Sequence, residues 1–226
     1  MTDTSCPRVC LVIPALNEAE TIASVVAEAA SYGLPVVVDD GSSDGTGALA
    51  LEAGAVVVTH RVNRGYDDAL ASGFARAVEL GAEYVITLDA DGQHDATTLG
   101  SFVAELDRGA DLVVGTRDRH QRIAEMIFSW VGRLAWKIDD PLCGLKGYRV
   151  SVYRELGHFC SYRSIGTELT IFAARQGKRI VQVPVGTRDR VGETRFGGGL
   201  DANWRILRAL FLGIVRGSGR AHHPVK

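Results

Sequence analysis

The sequence is poor in the features that most quickly place a protein. Its four cysteines, Cys6, Cys10, Cys143 and Cys160, form no CxxC pair and have no partnering histidine pattern. That disfavours a zinc site or a disulfide framework and implies buried or incidental thiols in a reducing compartment. No apolar run approaches the ~20 residues of a membrane-spanning helix. Met1 to Pro7 is polar and too short for a signal peptide, so the chain reads as cytoplasmic. Net charge is nearly absent as well, at −2, which argues against nucleic-acid binding driven by bulk charge. No GxGxxG follows the first apolar run, which disfavours a dinucleotide-binding enzyme, and no GxxxxGK[ST] occurs. There is no internal repeat.

What is present is ordinary in amount and informative in order. With 226 residues, 46% of them hydrophobic, the chain suits one domain with a substantial core. Short apolar runs at Val9–Ile13 (stopped by Pro14), Leu34–Val38, Ala55–Val58, Tyr84–Leu88 and Asp111–Val114 read as buried strands. Between them, helical spacing runs over Glu18–Ser31, from Ser43-Asp44 through Glu52, and over Asp67–Leu80 and Thr97–Leu106. Continuous apolar strands alternating with helices predict a mostly parallel sheet covered on both faces. The second half is less regular. It offers an apolar helix over Arg122–Ile138, a turn-rich passage Asp139–Gly147, a helix near Gly166–Arg175, a strand near Arg179–Val185 and a last helix over Asn203–Val215.

Ligands of such sheets sit beyond the carboxyl ends of the strands. Three strand ends carry unusual polar sets: Pro14-Ala15-Leu16-Asn17-Glu18, Asp39-Asp40-Gly41-Ser42 and Asp89-Ala90-Asp91-Gly92-Gln93. In an extended chain Asp89 and Asp91 point to the same side. Mg²⁺ is commonly held by one or two carboxylates plus substrate phosphates.

As an ordered set these motifs resemble family 2 glycosyltransferases with the GT-A fold. The matching residues are Pro14 to Glu18, Asp39-Asp40-Gly41-Ser42-Ser43-Asp44-Gly45-Thr46, Asn63-Arg64-Gly65 and Asp89-Ala90-Asp91. Within that family the chain looks most like the dolichyl- or polyprenyl-phosphate sugar synthases. The resemblance rests on Asp89 to His94, Gly115-Thr116-Arg117, Asp140-Pro141-Leu142-Cys143-Gly144-Leu145 and the loop Arg190 to Arg195. Departures from that pattern are Cys143 for a small hydroxyl residue, Asp95 for a proline and Tyr66 where a lysine is common; Arg188 is the alternative to Arg190.

The resemblance implies a single GT-A domain over 1–226. Its nucleotide-sugar and metal half would span 8–118, its acceptor half 119–200, and an amphipathic helix and tail 201–226. Asp39 and Asp40 would bind the base or ribose of a GDP- or UDP-linked sugar, with Pro14, Leu16 and Glu18 lining that pocket. Asp89, Asp91 and Gln93 would hold Mg²⁺ or Mn²⁺ against the diphosphate, Asp89 touching the nucleotide as well and Asp91 serving catalysis with Arg117. Arg117, Arg133, Arg190 and Arg195 would position a polyprenyl phosphate, because guanidinium pairs bidentately with phosphate oxygens. Configuration would invert. The alternatives are transfer to a saccharide hydroxyl, with Glu168 or Asp140 as base, and a nucleotide-sugar-binding module without turnover. His60, His94 and His120 read as structural or exposed, with only His94 expected near the metal. Trp130, Trp136, Trp204 and Phe211, with Arg133, Arg205 and Arg208, would meet a membrane interface directly or through a small membrane partner, unless their helices are core.

Overall fold

The computed structural model describes residues 6–92, 97–117, 122–186 and 199–216. The first half alternates as its apolar runs predict: β1 (Val9–Ala15), α1 (Ile22–Ala29), β2 (Leu34–Asp39), α2 (Thr46–Glu52), β3 (Val56–Thr59), α3 (Tyr66–Glu79), β4 (Tyr84–Thr87), α4 (Thr97–Asp107) and β5 (Leu112–Arg117). Then follow α5 (Ile123–Trp136), β6 (Lys146–Arg149), α6 (Val150–Leu156), α7 (Glu168–Arg175), β7 (Ile180–Val185) and α8 (Gly199–Arg216). The described strands form one sheet in the order β3-β2-β1-β4-β6-β5-β7. Every pairing is parallel except the two made by β6, with β4 and with β5.

The strand period of two divides the core into two layers. Along β1, Cys10 and Val12 face one layer, packed with Leu70 and Phe74 of α3 and with Phe128 of α5. Leu11 and Ile13 face the other, with Val26 of α1 and Leu99, Phe102 and Leu106 of α4. Phe74 is fully buried, its ring 5.4 Å from Tyr148 and 4.6 Å from Phe159, centroid to centroid. Truncating such a ring to alanine costs about 3–5 kcal/mol.

Four local expectations are corrected. Pro14 does not stop β1, which runs on to Ala15 with Pro14 opposite Val38. Pairing with β4 ends at Val12, so a residue lacking N–H is tolerated there. α1 begins at Ile22 rather than Glu18, whose carbonyl instead closes a turn with the Thr21 and Ile22 N–H groups. The turn-rich passage leads straight into β6 and α6, which the sequence did not suggest. Lys146-Gly147-Tyr148-Arg149 has neither an apolar run nor an alternating apolar pattern, and its sheet partners are remote in the chain. Trp136 is buried, its ring 6.2 Å from that of Phe128, so it is a core residue and offers nothing to a membrane.

Candidate active site

Three loops at the carboxyl edge of the sheet are laced together before any ligand enters. Asn17 has φ 51° and links the β1 loop to the β2 loop: its N–H donates to Ser42 Oγ at 2.8 Å, and its side-chain oxygen accepts from the Ser43 N–H at 2.8 Å. The Glu18 N–H donates to Thr46 Oγ1 and the Ala19 N–H to Asp44 Oδ2. Thr21, just before α1, donates its hydroxyl to the Ala90 carbonyl at 2.7 Å, which ties the β1 loop to the chain between Asp89 and Asp91. Ser42, Ser43, Asp44 and Thr46 thus serve to align loops.

Asp40 is similarly committed. Its carboxylate accepts the Arg64 N–H at 2.9 Å and the Gly65 N–H at 2.7 Å, and His60 Nδ1 lies 2.6 Å from it. This draws the Asn63-Arg64-Gly65 turn down onto β2. Gly41 permits the closure: it has φ 82°, and a Cβ there would meet the Asn63 nitrogen at 2.7 Å. His60, bridging Asp40 and Ser72, is structural as expected. Asp39 accepts the Ser42 N–H with one oxygen, while the other lies against Gly47.

These loops border a cavity of about 450 Å³, within the range of small-molecule sites. Of the residues anticipated from sequence, Pro14, Leu16, Glu18, Asp40, Asp89, Asp91 and Arg117 line it. Asp39 does not, lying behind Asp40 toward α2. Arg133 does not either: its side chain is 67% exposed and pairs with Asp139 at 2.7 Å, because its helical position faces outward. Gln93, Arg190 and Arg195 lie outside the described residues, as do Arg188, His94 and Asp95. Glu168 is not on the cavity wall; its carboxylate accepts from the Ser161 N–H and hydroxyl and lies 3.1 Å from His158 Nε2.

Asp89 and Asp91 both reach the cavity. Gly144 packs directly on the Asp89 carboxylate, where a Cβ would approach Oδ2 to 2.2 Å, so only glycine fits at that point of the wall. Among the described residues no three His, Cys, Asp or Glu side chains converge to cage an ion unaided. Two carboxylates at one strand end fit a hard cation that completes its oxygen shell from substrate phosphate and water.

The opposite wall carries cations set in carboxylates. Arg117, at the end of β5, donates to buried Asp140 through Nε at 2.7 Å and a terminal nitrogen at 3.0 Å. Glu125 of α5, also buried, accepts from Arg122 at 3.1 Å and lies 3.8 Å from Arg117. Burial opposes the Arg117 charge, yet the hydrogen bonds and attraction of Asp140 outweigh it and raise the pKa. Arg122, Glu125, Lys146 and Arg205 line the cavity and were not anticipated there. A signal for Glu125 existed, since a carboxylate interrupts the apolar face of an amphipathic helix. Burial lifts the Cys143 thiol to about 12 and Cys10 to about 11, which leaves neither a nucleophile at neutral pH.

Comparison with known proteins gives the family and the fold. The profile described as "Glycosyl transferase family 2" matches residues 10–125. An undecaprenyl-phosphate mannosyltransferase of Micrococcus luteus is 32% identical over 240 residues, covering 89% of this chain and 98% of that protein. A polyprenol monophosphomannose synthase of Mycolicibacterium smegmatis is 30% identical, over 84% of this chain and 82% of its own length. Among solved structures, glucosyl-3-phosphoglycerate synthase from Mycobacterium tuberculosis, in complex with phosphoglyceric acid, aligns with a TM-score of 0.74 at 23% identity. That alignment covers 91% of this chain and 79% of the other, and it shows the GT-A fold. The same synthase in complex with Mg²⁺ and uridine diphosphate gives a TM-score of 0.73 at 25% identity, covering 91% of this chain and 78% of that one.

Proposed function

The chain belongs to glycosyltransferase family 2 and is a glycosyltransferase; from this premise we propose that it inverts a sugar from a nucleotide donor onto a polyprenyl phosphate at the cytoplasmic membrane face. One observation carries the reading. A single cavity has Asp89 and Asp91 on one wall, the Arg117 and Arg122 pair on the other, and on its rim Arg205 of a helix whose outer face is apolar. The nucleoside end of a GDP- or UDP-sugar rests against Pro14 and Leu16 beside Asp40, whose carboxylate accepts N–H or ribose O–H and would repel phosphate. Asp89 and Asp91, with Gln93, hold Mg²⁺ or Mn²⁺, which when bound offsets charge on the departing nucleoside diphosphate.

A phosphate monoester has a second pKa near ~6 and is largely ionised at neutral pH, so it attacks without a general base. Arg117, with Arg190 and Arg195 of the loop, positions it. The carboxylates that a saccharide hydroxyl would need are otherwise engaged: Asp140 is held by Arg117, and Glu168 accepts from Ser161 away from the cavity.

No described helix is long and apolar enough to cross a membrane. Instead α5 and α8 pack together and expose Ile123, Met126, Trp130 and Leu134 on one, and Trp204, Leu207, Phe211 and Ile214 on the other. This face lies in the interface of a bilayer with anionic head groups, supplied with charge by exposed Arg133, Lys137 and Arg205. The deciding assay offers a panel of UDP- and GDP-sugars to polyprenyl phosphate and to the corresponding polyprenol. Transfer should require the phosphate; equal transfer to polyprenol overturns the reading in favour of a hydroxyl acceptor.

A further inference from the structure

One cation in the cavity is neither ion-paired nor solvated. Lys146 of β6 is 3% exposed, and its ammonium donates to the Gly166 carbonyl at 3.0 Å. Among the described residues it has no carboxylate within ion-pair distance, whereas Arg117, Arg122 and Arg133 each have one. An ammonium has three N–H donors, and a buried charge is costly unless it is paired. Burial lowers the Lys146 pKa from 10.5 to about 8, so the charge persists at neutral pH at the expense of stability.

The surrounding chain fixes this group in place. The Gly166 carbonyl belongs to a turn in which Arg163, Ile165 and Gly166 all have positive φ, at 54°, 56° and 67°. A β-branched residue in that region is a genuine outlier, and such strain gathers at ligand sites. Asp67 of α3 holds the turn by accepting the Ile165 N–H at 3.0 Å and the Gly166 N–H at 2.7 Å. Tyr66 lies beneath it, its hydroxyl 3.4 Å from Asp89. Lys146, Tyr66, Asp89 and Ile165 all line the cavity.

We infer that Lys146 binds a phosphoryl oxygen of a substrate, either the donor diphosphate or the acceptor phosphate, and that this anion completes the charge the fold leaves unpaired. The inference rests on the reading that phosphate-bearing substrates occupy this cavity. It adds a cation from β6 to the arginines already assigned, at the position along the wall where Tyr66 supplies none.

The test compares wild type with Lys146→Met and Lys146→Gln. Calorimetry with UDP and GDP in the presence of Mg²⁺ reads the donor side, and the KM for a short-chain polyprenyl phosphate reads the acceptor side. Both variants should melt at or above the wild-type temperature at pH 7, because a buried charge has been removed, whereas loss of a purely structural lysine lowers it. At least one phosphate readout should weaken tenfold or more: nucleoside diphosphate affinity if the partner is the donor, acceptor KM alone if it is the lipid phosphate. Unchanged affinity and KM in stable variants overturn the role of Lys146 while leaving the proposed reaction standing. Wild-type protein that binds neither nucleotide nor lipid phosphate overturns the reaction, and this inference with it.

Discussion

The two walls of the cavity hold their charges by opposite means. At the ends of β1, β2 and β4, carboxylates are fixed largely by backbone: Asp40 on the cavity wall by the N–H groups of Arg64 and Gly65, Asp39 behind it by that of Ser42. On the wall made by β5, α5 and β6, two cations are fixed by carboxylates and one by a carbonyl: Arg117 by Asp140, Arg122 by Glu125 three residues on, Lys146 by Gly166. The first arrangement brings backbone donors to the Asp40 carboxylate from 24 and 25 residues along the chain. The second sets charge beside buried charge, so removing either partner leaves the other uncompensated.

The largest expected effect lies on the first wall. Asp91→Asn should lower transfer by ~10³-fold, about 4 kcal/mol of transition-state stabilisation, with an unchanged circular-dichroism melt. Chelation by EDTA should do the same to wild type, and transfer that survives both removes the metal from the reading.

The second wall should answer differently, in stability as well as rate. Arg117→Met leaves Asp140 buried without its partner, at a cost of about 3–5 kcal/mol by urea denaturation. Adding Asp140→Leu should restore most of that stability and none of the transfer. Restored transfer would reduce Arg117 to a structural counter-ion.

Smaller is the pH dependence set by Lys146. Burial lowers its folded pKa from the ordinary 10.5 to about 8; Cys143, Asp140 and Asp89 oppose that shift and Arg117 adds to it. Below about pH 8 both folded and unfolded chains are protonated and the full penalty of a buried charge applies. Between about 8 and 10.5 the folded state alone has lost its proton, so stability rises with pH. The advantage of Lys146→Met over wild type, at most about 3 kcal/mol, should therefore be flat below pH 8 and shrink above it. A difference independent of pH up to 10.5 breaks this account.

The smallest effect concerns the outer side of the second wall, where the exposed large apolar side chains of the described residues concentrate; Leu51 and Val62 are the exceptions. A Trp204→Ser, Phe211→Ser double variant should float with anionic liposomes about tenfold less well than wild type while folding normally. Trp136→Ser should instead unfold the protein more readily and say little about membranes. Wild type that remains in the soluble fraction assigns the α5–α8 face to a protein partner.

What could be read from the sequence follows the same division. Asp89 and Asp91, Pro14 to Glu18 and the β2 loop each sit directly after an apolar strand, so chain order alone gathers them on one edge. Arg117 was legible for the same reason. Lys146 was not, because a lysine in a four-residue strand acquires meaning only from partners elsewhere in the chain, whereas Glu125 left a signal as a carboxylate on the apolar face of a helix. Arg133 differs from Arg117 in its setting: it lies within an amphipathic helix, where its spacing places it toward solvent. Trp130 and Trp136 look alike in sequence, yet one is 64% exposed and the other is buried among Phe128 and the cation of Arg175.

The antiparallel entry of β6 has a consequence for synthesis. β4 and β5 never pair with each other; β6 is inserted between them, and β5 takes β7 as its other neighbour. As the chain leaves the ribosome, β4 therefore carries a bare edge until residues 146–149 emerge, and β5 has no neighbour of its own in the interval. A bare apolar edge is a template for pairing with other chains. The stretch matched by the family profile, residues 10–125, ends inside this vulnerable window. A truncation there would leave a half-built sheet with one strand open and another unpaired.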